Sequence, residues 1–164
     1  IAVAHGDRMD AAKIIAEADL FVRQAMASPG DISHQQSILT SAATLWFQAG
    51  NRAAAVDLVR SIEEPYVQAK VATALALEFV QIGDMASAEA LARSIISSAS
   101  LADAVAELAR VAAPEDARRL VAFLLQVGVW WQWLDLVVRV DPEAIHDITD
   151  EYLRSIDTGS LLAA

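Results

Sequence analysis

The sequence predicts an all-α protein, an α-solenoid of helical hairpins with about eight to nine helices. Apolar residues recur at i, i+3, i+4 and i+7 in one segment after another, so each segment carries a single apolar stripe when wound as a helix. Glycine and proline punctuate these segments at spacings close to a two-helix unit. Hydrophobic residues make up 55% of the 164 positions but aromatics only 6%, because alanine and leucine dominate, as closely packed helices require. Apolar residues do not alternate with a period of two, and Gly and Pro together number ten, so strands and disorder have little support.

The elements follow from the stripes. Gly6-Asp7 reads as a first hairpin turn, and the helix after it places Ala11, Ile14, Ile15 and Ala18 on one face, running to about Met26. Ser28-Pro29-Gly30-Asp31 is a break, since proline cannot continue a helix and Asp can cap the next one. Leu39, Ala42, Ala43 and Trp46 form the next stripe, Gly50-Asn51 the turn, and Ala55, Leu58, Val59 and Ile62 the return stripe. Pro65 suits the first position of a new helix. The central hairpin carries Ala72, Leu75, Ala76 and Phe79, then Ala88, Leu91, Ala92 and Ile95, joined at Gly83-Asp84. Gly83 can close one helix in the left-handed conformation while Asp84 caps the other.

Further on, Ser100-Leu101-Ala102-Asp103 has the form of a capping box. Its helix bears Leu101, Ala104, Val105 and Leu108, Ala113-Pro114 breaks it, and Ala117, Leu120, Val121 and Leu124 follow. Gly128 is the next turn, Trp130, Trp133, Leu134 and Val137 the next stripe, and Asp141-Pro142 opens a last helix through Ile145, Ile148, Tyr152 and Ile156. The hairpins are thus expected at about 1–28, 32–64, 66–98, 100–127 and 129–157, within a single repeat domain over 1–164. Gly6 to Gly50 spans 44 residues and Gly50 to Gly83 spans 33, against a two-helix repeat of roughly 34.

Bulk properties narrow the partners. A net charge of −10 disfavours nucleic acid and anionic membrane surfaces, both polyanions, and leaves a protein or peptide partner. The chain has no cysteine, which fits a cytoplasmic setting without disulfides. The nearly apolar run over 120–134 is shorter than the roughly 20 residues a membrane span needs. Ile1 falls in mid-pattern, which suggests a piece of a longer protein.

Leu75, Ala76, Phe79, Gly83, Asp84 and Ala88, and one repeat earlier Ala43, Trp46, Gly50, Asn51 and Ala55, resemble the tetratricopeptide repeat. The usual first-helix Trp is replaced by Leu39 and Ala72, and the third repeat lacks the Gly-Asp turn. Arg60-Ser61-Ile62, Pro65-Tyr66, Gln68-Ala69, Ala90-Leu91-Ala92-Arg93 and Ser94-Ile95 look like alanine-rich repeats of large actinobacterial proteins. Trp130-Trp131 and Asp141-Pro142-Glu143-Ala144 are similar to the end of such arrays. The resemblance implies a TPR-like superhelix that binds a protein or peptide on its concave face, in signalling proteins that often carry a switch ATPase of the signal-transduction type. No nucleotide-binding motif stands in this chain.

In such an array the first helix of each hairpin lines the concave face, so the resemblance places Ser37, Thr40, Thr44 and Gln48, then Lys70, Thr73, Leu77 and Gln81, then Arg110 there. Hydroxyls, amides and two cations suit an extended peptide or its carboxylate, although polar outward residues also need no function. Trp130 and Trp131 are a secondary candidate, as an exposed anchor or as a seal on the last hairpin. The chain lacks the phosphate-loop, zinc-protease, nucleophile-elbow and dinucleotide motifs, so it reads as non-enzymatic and without cofactor. His146 and Asp150 share a helix face at i, i+4, flanked by Asp147 and Glu151; a closed zinc site needs four ligands, and the plain alternative is a solvated helix face. Self-association is the competing class, through apolar surface at the chain ends.

Overall fold

The structure, a computed structural model, describes residues 2–27, 31–127, 130–143, 145–146, 149–150 and 153–154, with side chains from 12 onward except 26, 27, 127, 130 and 131. The described residues are all-helical: α1 (Ala2–Ala27), α2 (Ile32–Gln48), α3 (Arg52–Ser61), α4 (Pro65–Gln81), α5 (Met85–Arg93), α6 (Ser98–Val111), α7 (Pro114–Val127), a 3-10 segment (Trp130–Trp133) and α8 (Leu134–Val140). They form two compact units, Ile1–Ala104 and Val105–Ala164, and the division falls inside α6.

In the first unit the two glycine turns are built alike. Gly50 and Gly83 have φ of 81° and 79°, the left-handed region in which a Cβ is strained. The N–H of Gly50 bonds the Phe47 carbonyl and that of Asn51 reaches back to Trp46. Gly83 and Asp84 repeat this with Val80 and Phe79. Both are the double hydrogen-bonded helix ending in which orphan carbonyls of the last turn are satisfied. The residue after each glycine then caps the following helix: Asn51 accepts from the Ala54 N–H at 3.4 Å and Asp84 from the Ser87 N–H at 3.1 Å. One dipeptide thus ends one helix and starts another, which makes each hairpin short.

The stripes meet as expected. α1 packs on α2, α2 on α3 and α4, α3 on α4, and α4 on α5. Ala42, Ala43, Ala55, Ala72, Ala76 and Ala88 are all at most 1% exposed, so the helix crossings are lined by methyl groups and the backbones come close. Phe47 and Phe79 meet edge to face at 4.9 Å, 80° apart, joining α2 to α4. The aromatic that fills this gap is Phe47, next to the expected Trp46, which is only partly buried.

Four expectations need correction. Gly6-Asp7 is no turn, because α1 continues through it; a helical glycine weakens the helix without ending it. The capping box at Ser100 lies inside α6: Ser97 starts that helix instead, its Oγ accepting from the Ser100 N–H at 3.4 Å and its carbonyl from Leu101 at 2.8 Å. α5 correspondingly stops at Arg93, where Ser94 folds its hydroxyl onto the Leu91 carbonyl at 2.6 Å, so Ile95 is buried from the connector rather than from a helix. In the second unit the Trp-rich stretch begins as a 3-10 segment of roughly three residues per turn, and this shifts the phase of α8. Leu136 and Val137 turn inward while Leu134 is 43% exposed.

α7 opens at Pro114, at the expected break, and packs on the 3-10 segment and α8. Ala117, Leu120, Val121 and Leu124 are all buried. The turn expected at Gly128 lies outside the described residues, as does most of the last helix; 145–146, 149–150 and 153–154 are helical.

Three measurements test these assignments. Ala76→Leu or Ala88→Leu overpacks a crossing and should lower the unfolding free energy in urea by roughly 1–3 kcal/mol, while Ser37→Ala on the exposed face should change it by less than about 0.5 kcal/mol. No atom lies within 4 Å of where a Cβ would stand at Gly50 or Gly83, so Gly83→Ala should cost only its backbone strain, about 1–2 kcal/mol. Gly6→Ala, in a helix, should stabilise by up to about 1 kcal/mol; equal signs at the two sites would restore a turn at Gly6.

Asp84 gives the pH test. The Ser87 hydroxyl, at 2.7 Å, and the Ser87 N–H both favour the carboxylate and hold its pKa below the ordinary 3.8. Because folding lowers this pKa, the ionised group stabilises the fold fully above 3.8, and that stabilisation fades as the pH falls through the folded-state value. Asp84→Asn keeps an acceptor but cannot titrate. Its denaturation midpoint should therefore fall less than that of wild type on acidification below 3.8.

Candidate functional site

The nine residues expected on a concave face fall in both units. Eight stand on α2 and α4, which pack directly on each other. Ser37 and Gln48 are exposed and Thr40 and Thr44 half-buried along one line of α2. On α4 the line 66, 70, 73, 77, 81 advances by three or four residues, so one strip holds Tyr66, Lys70, Thr73, Leu77 and Gln81. Thr73 departs from the expectation of an outward polar group. It is only 8% exposed, and its Oγ1 donates to the Ala69 carbonyl at 2.8 Å. A threonine in mid-helix can satisfy its hydroxyl on the preceding turn, which lets this one sit inside without a partner molecule.

Tyr66 belongs to this strip but was not among the residues the sequence placed on this face. The residue is 51% exposed, and the Lys70 ammonium sits over its ring at 5.9 Å. The signal that could have found it is its i−4 spacing from Lys70. A half-exposed aromatic beside a cation that has no carboxylate partner among the described residues is the kind of group that anchors a partner.

A cavity of about 550 Å³ lies elsewhere in the first unit, lined by Val22, Ile32, Gln35, Leu39, Leu58, Ser61, Ile62, Glu63 and Glu64. Its floor comes from stripe residues of α2 and α3 and its polar edge from the α3–α4 connector. Two of its polar groups are already engaged: Glu64 caps α4 by accepting the Val67 N–H at 2.6 Å, and the Ser61 hydroxyl bonds the Leu58 carbonyl at 2.7 Å. No motif marks this cavity in sequence, because it arises from the splay of three helices around a connector.

In the second unit, Arg110 is exposed and stacks over the Trp133 ring at 5.0 Å. The indole nitrogens of Trp46 and Trp133 and the Gln68 side-chain oxygen are buried without a hydrogen-bond partner among the described residues. Trp130 and Trp131 lie on the 3-10 backbone, and their side chains are outside the described set. His146 and Asp150 are exposed; Asp147 and Glu151 fall outside the described residues. Among the described residues no three His, Cys, Asp or Glu side chains gather where they could hold a metal, and no helix is long and apolar enough to cross a membrane. Comparison with protein-family models, with curated proteins and with solved structures gives no match to this chain.

Proposed function

We propose that this chain is a non-catalytic scaffold for protein–protein interaction, a TPR-like helical-repeat solenoid that takes a protein or peptide partner on the α2–α4 face. It would serve as a sensor or docking module of a larger cytoplasmic signalling protein. The observation that carries the reading is the direct packing of α2 on α4, the first helices of successive hairpins. The reading takes Ser37, Thr40, Thr44 and Gln48 of α2 and Tyr66, Lys70, Leu77 and Gln81 of α4 as the two lines of one face. Such a face offers hydroxyls, amides, one aromatic and one ammonium, which are groups for holding an extended chain by its carbonyls and carboxylates. The Ala-lined crossings keep both helices fixed, so little ordering is required on binding.

A second reading, self-association, rests on Leu134 and Val138. They stand four apart on α8 and are 43% and 47% exposed, an apolar strip of the kind that pairs helices.

Affinity capture from the source lysate, run beside sedimentation of the purified chain, separates the two. A discrete protein held by the wild type and lost from Tyr66→Ala with Lys70→Glu, whose unfolding midpoint is unchanged, supports the α2–α4 face. Equal capture by both proteins rejects it. A dimer that Leu134→Glu with Val138→Glu converts to a monomer supports self-association instead.

A further inference from the structure

The Val105–Ala164 unit contains five arginines, no lysine and ten Asp and Glu residues. Three of its arginines, Arg110, Arg118 and Arg139, line one cavity of about 320 Å³. They arrive from three helices: Arg110 from the last turn of α6, Arg118 from the second turn of α7, and Arg139 from the last turn of α8. The remaining walls are Ala109, Ala112, Pro114, Ala117 and Val140, none of which has a side chain able to accept a hydrogen bond.

Three cations around one cavity repel each other unless something negative sits among them. Among the described residues no carboxylate pairs with any of the three. The ion pair described in this unit is Arg119 with Asp116, at 2.9 Å, and it uses the neighbouring arginine. The helix dipoles account for part of the arrangement, since Arg110 and Arg139 stand at C-terminal ends, where a cation is favoured. They do not account for Arg118, which stands in the second turn of α7, away from any C-terminal helix end.

The start of α7 borders the cavity through Pro114, Ala117 and Arg118. Ala113, before Pro114, offers no side-chain acceptor to the first N–H groups of this 14-residue helix, and the carboxylates of its first turn are Glu115 and Asp116, of which Asp116 pairs with Arg119. Stacking on Trp133 holds Arg110 in place, so one guanidinium is already ordered before a ligand arrives. All three arginines are solvent-exposed, so the cavity is open to a solute.

The geometry points to an oxyanion site at the mouth of α7, in which Arg110, Arg118 and Arg139 receive a phosphomonoester group. The guanidinium fork matches phosphate oxygens bidentately. A dianion balances most of the local positive charge, whereas a single carboxylate balances a third of it. The net negative charge of the unit turns away polyanions, so the ligand is a compact one: a small phosphorylated metabolite or a phosphorylated side chain. Sequence reading placed Arg110 with Lys70 on one binding face; this site gives it a separate role that does not depend on the α2–α4 reading.

Calorimetric titration of the purified chain with inorganic phosphate, phenyl phosphate, a phosphoserine peptide and acetate tests the site. Saturable one-to-one binding of phosphate compounds is expected, at least tenfold tighter than acetate and weaker at high salt. Arg118→Gln and Arg139→Gln should each weaken it by roughly tenfold or more, with the thermal midpoint of the unliganded protein unchanged. Arg118→Lys, which keeps the charge and loses the fork, should fall between. Tighter binding of phenyl phosphate than of the phosphoserine peptide assigns a metabolite, and the reverse assigns a phosphoprotein. The site is overturned if no phosphate compound binds saturably, if acetate binds as well as phosphate, or if the Arg118→Gln, Arg139→Gln double variant binds like wild type.

Discussion

The first unit depends on one local constraint made twice, a glycine held in the left-handed region between two helices. At Gly50 and Gly83 the positive φ lets the next amide reach back to the preceding helix while its own side chain starts the following one. With the link this short, the two helices of a hairpin can only lie against one another. Their stripes must then be compatible at close range, and alanine at the crossings meets that need. The edge-to-face pair of Phe47 and Phe79 then ties α2 to α4, so a backbone conformation at two residues propagates into the contact that positions the candidate face.

Much of this was legible because it is local. A stripe at i, i+3, i+4, i+7 and a Gly-Asx pair are each read within about ten residues, and every alanine and leucine stripe residue from Leu39 to Leu58 and from Ala72 to Leu91 is buried. The errors share a cause too. Gly6-Asp7 carries the same letters as Gly83-Asp84, yet α1 runs straight through it, so the dipeptide by itself does not end a helix. Ser97 and Ser100 are both good caps, and what decides between them is where α5 stops, which Ser94 sets from the other side. In α8 the stripe was read at 3.6 residues per turn through a segment that starts at about three.

Of the candidate site, the helices and their outward lines could be read, but the depth of each position could not. Thr73 and Lys70 are three apart on the same strip, yet one bonds inward to Ala69 and the other lies over a ring. The apolar cavity beside the α3–α4 connector and the three-arginine cavity of the second unit were not legible at all. Each assembles residues from three or more separate segments, and single-sequence spacing carries no information about which helix ends converge.

Charge gives these features different weights. On a chain with ten more acidic than basic side chains, an acidic residue on the surface is the background and an unpaired cation is the signal. Lys70 is the lysine of the α2–α4 face, and it leans on Tyr66 rather than on a carboxylate; Arg110, Arg118 and Arg139 gather where no carboxylate joins them among the described residues. Carboxylates were available to neutralise them, as Asp116 does Arg119 and Asp57 does Arg60. An exposed ion pair of that kind stabilises little, so leaving four cations unpaired lowers stability only slightly. Unpaired cations on an acidic protein are therefore the positions where an external anion would meet least competition from the chain itself.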